Sequence, residues 1–474
     1  MTSVPTSAAP GPVLTPTLPA TPTPFAPHRG DVPAGSLDRA PLDLPWADWS
    51  PAQWVGVAVL ALIVAFAVAT IVRAVVQRLY LVREHEELGH PDRDGPVLPS
   101  AHAVTAFVVA HAPAGLAVTL DLLARQQHPD VRVVVAVDPD DRLTLDVATS
   151  AARRHPSRVR VVPGGPTRTA TALAAVDGDV VAFFAAGDRP HPRSFALVDS
   201  VLTRTGADAV QHASRPALEP SPWWSPRLAV ERWWWSRSSI RSHGRAGFVP
   251  LSGSTLFVRH AWLAGAGGWD VDRVGAGLDL GVGMAVAGAR IVVATSDETE
   301  TVERAPRSAL DLVRVRVHWV RGCLQVLGRG EWRRLRPAAR RRALGVLTEP
   351  LVDGAVTMLA VLTIGSLAAV GAPSLVFALA LVPLVPAGVS LVLDLAATGE
   401  AAADQGRRAT GRERLLVVVG AAPSRVATLV AVVLAVAAEL RSAPRASSGA
   451  AGDDADHAVG DSVRRVTAGP PVVG

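Results

Sequence analysis

Three aspartates crowd into one four-residue stretch, Asp138-Pro139-Asp140-Asp141, directly after the β-branched run Val131–Val137. Carboxylates at the end of a buried strand can accept hydrogen bonds from a ribose or a base, and open α/β folds bind ligands outside the carboxyl ends of their strands. The same residues would serve equally well as a solvated acidic turn capping the next helix, so Asp138, Asp140 and Asp141 alone leave both roles open. A second acidic position follows a second apolar run, where Asp179–Phe184 leads into Ala185-Ala186-Gly187-Asp188-Arg189-Pro190. Downstream, Trp223, Trp224, Trp233, Trp234 and Trp235 account for five of the twelve tryptophans. Indole rings stack on sugar faces but also anchor proteins at membrane interfaces, and anchoring or packing is the role expected of this group. Cys323 is the only cysteine. An intrachain disulfide and a thiolate metal cluster are therefore excluded, which fits a reducing, cytoplasmic setting for the soluble part.

The elements that must position these groups are legible between about residues 100 and 330, where short β-branched runs alternate with longer amphipathic stretches. That alternation is the pattern of an α/β domain with crossover helices. Ala103–Ala110 and Val131–Val137 are expected strands, and Leu116–Arg125 between them has helical spacing, giving one right-handed βαβ unit. The segment GFVPLSGSTLFVRHAWLAGAGGWD, from Gly247 to Asp270, is turn-rich and holds one further strand. Its glycines suggest close backbone approach to a neighbour.

Nearly half of the 474 residues are apolar, and they are clumped. Trp49–Val72 carries no charge and is long enough to cross a membrane, which takes about 20 apolar residues. It is not a signal peptide, because residues 1–48 before it are a Pro-, Thr- and Ala-rich tail expected to be disordered. The expected first span covers 49–76. A second uncharged block, 354–393, is broken by Gly371-Ala372-Pro373 and reads as a helical hairpin. A third, within 415–440, contains Pro423 and Arg425 and reads as a kinked span in preference to an interfacial helix. Residues 441–474 are expected to be a disordered tail. Arginines follow the first span, fill the basic segment 331–350 before the hairpin, and recur at Arg407, Arg408, Arg412 and Arg414. The positive-inside rule then puts the central domain in the cytoplasm of a multi-pass cell-membrane protein. The net charge of +5 comes with Arg runs beside hydrophobic segments, so membrane lipids are the expected anionic partner and nucleic acid is not.

The ordered series of segments resembles the membrane-bound family 2 glycosyltransferases, the inverting enzymes that include cellulose and hyaluronan synthases. It comprises the strand ending at Asp138–Asp141, GPTRTATAL at 165–173, FFAAGDRPHP at 183–192, VPLSGSTLFVR to GGWD, LDLG at 278–281, SDETETVERAP at 296–306 and VRVHWVRGCLQV at 315–326. The resemblance implies an α/β domain of the nucleotide-diphospho-sugar transferase (GT-A) type over 100–330, with a parallel-rich sheet, accompanied by about four transmembrane helices. It implies a nucleotide-sugar donor, a glycan or lipid acceptor and a divalent metal, Mg²⁺ or Mn²⁺, that neutralises the departing diphosphate. On this alignment Asp188 is the metal-side aspartate, and Asp138, Asp140, Asp141 and Arg168 join it in donor binding.

At the positions that carry the family's chemistry the sequence departs from the pattern. Ala185 stands at the first acidic position of the metal motif, and the triplet supplying the general base falls on Gly275-Ala276-Gly277. The expected Gln and Arg of a Gln-x-x-Arg-Trp motif fall on Val315 and His318, leaving Trp319. Asp279 lies two residues past the vacant base position and reaches the same side only if that segment is extended. Asp279 and Trp319 are the remaining candidate catalytic residues, although relatives retain this Asp beside the base and a structural role is favoured for it. Two functions follow: an active membrane glycosyltransferase, or a non-catalytic scaffold or regulatory partner of a polysaccharide synthase. A transporter is disfavoured, because half the chain is a soluble domain and the spans hold few polar residues.

Overall fold

The computed structural model describes residues 97–164, 176–217, 222–265, 273–296, 298–369 and 385–442, with isolated positions at 50–76, 172–173 and 381. Val59–Gly474 forms one compact unit; of the unit before it, Met1–Ala58, only Ser50, Pro51 and Trp54 are described. The two tails, most of the first expected span, Arg168, and Asp270 and Asp272 lie outside the described residues.

The strands are β1 (Val104–Ala110), β2 (Val131–Val137), β3 (Val159–Pro163), β4 (Val180–Ala185), β5 (Arg189–Pro190), β6 (Ala209–His212), β7 (Ser214–Pro216), β8 (Leu256–Arg259), β9 (Ile291–Ala294) and β10 (Thr301–Glu303). The helices are α1 (Leu116–Ala124), α2 (Arg142–Arg154), α3 (Ser194–Thr205), α4 (Ser225–Trp234), α5 (Ile240–Arg245), α6 (His260–Gly265), α7 (Ala276–Val286), α8 (Ala309–Arg329), α9 (Pro337–Ala369), α10 (Val385–Ala403) and α11 (Gly411–Ser442). A π-helical turn, Trp235–Ser239, joins α4 to α5.

Seven strands form the main sheet in the order β3-β2-β1-β4-β8-β6-β9. β5, β10 and β7 form a second, three-stranded sheet. Buried valines on β1 and β2 alternate between two apolar layers, as the two-residue period of a strand requires. Leu116, Leu120, Leu123, Phe195 and Val201 cover one face of the sheet. Ile240, Leu280 and Met284 cover the other. A third cluster joins Leu278 and Val282 of α7 to Cys323 and Val326 of α8 and to Ala343 and Leu347 of α9.

Two features correct the expected fold class. The sheet is mixed, because β8 runs antiparallel to both β4 and β6. The cause is the route of the chain: residues 249–255 cross the carboxyl edge of the sheet, so a strand entering from that edge must run against its neighbours. A crossover helix would have returned the chain to the opposite edge. Among the described residues, two helices, Val385–Ala403 and Gly411–Arg441, are long and apolar enough to cross a membrane, where about four were expected. α9 begins inside the arginine run with Ala339, Ala343 and Leu347 buried against the domain. The two helices that qualify are consistent with a membrane-associated protein. α11 is a single continuous helix with Pro423 inside it.

Candidate functional site

β2, β1 and β4 are adjacent and parallel, with Val137 beside Ala110 and Val109 beside Ala185. Asp138 and the Ala185–Asp188 turn therefore emerge at the same carboxyl edge on either side of β1, roughly 10 Å apart at two strand spacings. The fold thus gathers two of the sequence's acidic candidates at one edge, with His111 at the end of β1 between them.

Asp138 and Asp141 are engaged by their own backbone. Asp138 Oδ1 accepts from the Asp140 amide at 3.0 Å, closing a tight turn. Asp141 is the N-cap of α2, where it accepts from the Thr144 amide at 3.1 Å and from the Thr144 hydroxyl at 2.5 Å. These two bonds hold its carboxyl below the usual carboxylate range. Asp140 is exposed beside them. The helix-capping role weighed for this segment is the one Asp141 performs, and Asp138 and Asp140 sit beside it at the carboxyl edge.

Asp188 points inward. It is 4% exposed, and its Oδ2 accepts from the Ala185 amide at 2.8 Å and from the Ser254 hydroxyl. Burial, followed by the nearby Glu303 carboxylate, pushes its carboxyl up to about 7. The turn that holds it is tight. Thr119 Oγ1 donates to the Asp188 carbonyl at 2.8 Å and accepts from the Gly187 amide at 2.9 Å. Gly187 has a φ of 105°, and a Cβ on Gly115 would stand 2.7 Å from the Gly187 Cα. On the outer side of the turn lies the exposed Arg304, next to Glu303, which takes a 2.8 Å bond from Arg232.

Gly277, the position at which the resemblance puts a base, is packed against backbone. α7 starts at Ala276, and a Cβ placed on Gly277 would stand 2.7 Å from the Leu251 carbonyl oxygen, 2.7 Å from the Ser252 carbonyl carbon and 2.9 Å from the Gly253 nitrogen. Real Cβ atoms essentially never approach backbone so closely, so residues 251–253 occupy the space a carboxylate side chain would need. Gln211 on β6 fixes this loop: its amide nitrogen donates to Thr255 Oγ1 at 2.9 Å and to Ser252 Oγ at 3.2 Å, and its oxygen accepts from the Ser252 amide at 2.9 Å. Thr255 is held at a φ of 56°, a strained conformation for a β-branched residue of the kind found where a site is over-determined by its surroundings.

Asp279 lies on the other side of the same helix. The segment is helical, so two residues correspond to about 200° of rotation. Its carboxylate takes Arg329 as an ion-pair partner, while Oδ1 is buried with no hydrogen bond in the described residues. Burial outweighs Arg329 and raises its carboxyl above the ordinary value. Trp319 packs edge-on against Trp235 with ring centroids 5.6 Å apart. His318 beside it has an exposed side, yet partial burial, followed by the nearby Arg321 and His111, holds its imidazole below the ordinary value. His111, directly after β1, and His318 of α8 are therefore near one another.

The metal expected from the resemblance finds no set of three side-chain ligands among the described residues, so Asp188 would have to share it with the donor's own phosphates. One Asp188 oxygen takes hydrogen bonds from the Ala185 amide of its own turn and from the Ser254 hydroxyl of the loop before β8, and no group of three His, Cys, Asp or Glu residues among the described residues could hold an ion. Gln211, Ser254, Thr119, Arg304 and His111 are the site residues that sequence reasoning missed. Ser254 and Arg304 lie inside two of the segments that carry the resemblance, VPLSGSTLFVR and SDETETVERAP, while Gln211, Thr119 and His111 have no motif around them.

Residues 101–322 match the model of the family described as Glycosyltransferase like family 2. The chain is similar to the mannosyltransferase PcManGT from Pyrobaculum calidifontis, solved in complex with GDP-Man and Mn²⁺, at 18% identity and a TM-score of 0.51 over 80% of this chain and 99% of that one. It also matches S. aureus TarS 1-349 in complex with UDP-GlcNAc, at 15% identity and a TM-score of 0.34 over 64% and 92% of the two chains. A third match is the glucosyl-3-phosphoglycerate synthase of Mycobacterium tuberculosis, at 19% identity and a TM-score of 0.33 over 48% and 81%. No curated protein matches the chain. The α/β domain has a family 2 glycosyltransferase fold.

Proposed function

We infer that this chain is a membrane-associated protein that binds a nucleotide-diphospho-sugar at the carboxyl edge of its sheet and does not transfer the sugar by a carboxylate base. It acts as a non-catalytic partner of the machinery that assembles a glycan or glycolipid. The observation that carries the reading is the 2.7 Å approach of a Gly277 Cβ to the Leu251 carbonyl. An inverting transfer needs a base within hydrogen-bond reach of the acceptor hydroxyl. Backbone stands where that base would be, and Asp279 is turned to Arg329. Retention of donor binding is supported by the family match over 101–322, by Asp138 and Asp140 at the edge, and by the His111 and His318 imidazoles, which can donate to a diphosphate. Arg304 adds a fixed positive charge beside the Asp188 turn.

The protein's residues would act by holding and orienting. Asp138 and Asp140 would accept from ribose or base, the imidazoles and Arg304 would meet the diphosphate, and Trp319 would wall the site. An active transferase is the second reading, favoured by the retention of Asp188 at the end of β4. Incubation of the full chain in membranes with a panel of UDP- and GDP-sugars, with and without Mg²⁺ or Mn²⁺, decides between them. Absence of nucleotide release is expected. Release that disappears in Asp188→Asn or Asp279→Asn would establish the second reading.

A further inference from the structure

We propose that α11 is not a membrane span but lies in the plane of the bilayer, with one face docked on the α/β domain and the other in contact with lipid at the boundary between headgroups and acyl chains. Length and hydropathy alone pass α11 as a span. The side chains divide it into two stripes. Val419, Val426, Val433 and Leu440, spaced seven apart, are 51%, 56%, 56% and 74% exposed. Seven residues turn a helix through almost two full turns, so these four form one line along one face. Val417, Ser424, Thr428, Ala431 and Ala435, at spacings of three, four and seven, are buried on the other side.

The buried stripe is pinned to the domain by polar contacts. Ser424 Oγ donates to Glu231 of α4 at 2.7 Å. Arg316 of α8 donates to Glu231 at 2.8 Å, to Ser424 at 2.7 Å and to Thr428 at 2.6 Å. Near the other end, Glu439 accepts from Arg321 at 2.7 Å and from Gln325 at 3.0 Å, both on α8. From Ser424 to Glu439 is roughly 22 Å of helix, most of the thickness of a hydrocarbon core. α8 carries Arg314, Arg316, Arg321 and Arg329, and it places Cys323 and Val326 in a core shared with α7. If α11 crossed the membrane, α8 and the domain fused to it would have to enter the hydrocarbon with it. They stay in water, so α11 stays at the surface.

A lipid surface is the occupant that fits the outer stripe. Arg408, Arg412 and Arg414 are exposed at the start of α11 and Arg441 at its end, a cationic rim suited to anionic headgroups. The apolar face also continues onto exposed Met358, Leu359, Val361 and Leu362 of α9, which meets α11 where Arg425 pairs with Asp353 at 3.3 Å. A charged rim around a continuous aliphatic face is the arrangement of an interfacial helix.

The test uses the full chain reconstituted in vesicles of mixed neutral and anionic phospholipid. Val419→Cys, Val426→Cys, Val433→Cys and Leu440→Cys are each labelled with an environment-sensitive fluorophore and quenched by nitroxides placed at shallow or deep positions of the lipid chain. The sole native cysteine, Cys323, is fully buried and leaves the background clear. Expected are blue-shifted emission and the same shallow depth at all four positions. Depth that changes by about 10 Å from each position to the next, the rise of seven helical residues, would overturn the proposal in favour of a span. Water-like emission at all four, or blue-shifted emission that lipid nitroxides cannot quench, would overturn it too. The first would mean a bare face and the second a face covered by protein, such as a second copy of the chain.

Discussion

Gly277 and Leu251 are in backbone contact so close that a Cβ on Gly277 would stand 2.7 Å from the Leu251 carbonyl oxygen. A single hydrogen in place of a side chain lets α7 seat against the loop 251–253. The position that would supply a general base in an inverting transferase is thereby a packing position.

Gly277→Ala should cost about 1–3 kcal/mol, the range for overpacking against atoms that cannot move aside. Gly277→Asp should cost more and restore no sugar transfer. Gly283→Ala, on the same helix with nothing within 4 Å of its Cβ, is the control. It should be neutral or stabilising, since alanine is favoured over glycine in a helix by about 1 kcal/mol. Thermal melts of the three variants check the contrast, and equal effects at Gly277 and Gly283 would remove the packing argument.

Asp188 predicts a pH dependence of stability with a definite sign. Its folded-state pKa, about 7, lies above the unfolded value near 3.8, so the folded protein binds more protons between these limits. Stability from this group is therefore fully present below the unfolded value and is lost as pH rises through the folded one. Asp188→Asn should flatten the profile between about pH 4 and 7 and be relatively more stable than the parent above it. Denaturant unfolding across that window reads the difference directly.

Glu231 joins α4 to α8 and α11 by accepting from Arg227, Arg316 and Ser424. Its carboxyl is held below the ordinary value in spite of burial, because Arg316 and Arg227 outweigh the loss of water. Glu231→Ala removes the carboxylate that Arg227 and Arg316 share, leaving Arg227 with Asp394 and Arg316 with the Ser424 and Thr428 hydroxyls, and should cost roughly 2–4 kcal/mol. Proteolysis should then reach α11 before the α/β domain, whereas uniform cleavage would mean that the network does not hold the helix.

Cys323 has its thiol pushed up to about 12 by burial and by the nearby Glu349. A thiol in that state is inert. It should fail to react with a thiol reagent at pH 8 in the folded protein and react stoichiometrically on denaturation.

Much of the fold was legible because buried strands read as unbroken β-branched runs. Val131–Val137 is the observed β2, Ala103–Ala110 exceeds β1 by one residue, and Leu116–Arg125 exceeds α1 by one. Strand direction was not legible, since the run Leu256–Arg259 has the same pattern whichever way it runs and only the route of residues 249–255 decides it. The acidic candidates Asp138 and Asp188 could be placed at one edge because each follows a strand. Their orientation could not, since it depends on Ser254 and Thr119, which lie 66 and 69 residues from Asp188. The glycine at 277 left the position expected for a base without a side chain and gave no sign of the backbone that packs there. The docked face of α11 was hidden for a similar reason: Ser424, Thr428 and Glu439 are too few to lower a hydropathy average, and their partners lie more than 80 residues away.

The measurement that bears most directly on the central claim is calorimetric titration of the solubilised full chain with UDP and with GDP, each with and without Mn²⁺. The edge formed by Asp138, Asp140, His111 and His318 should bind one of the nucleotides with an affinity that Mn²⁺ leaves unchanged. No binding under any condition, or binding that appears only with Mn²⁺, would contradict the account.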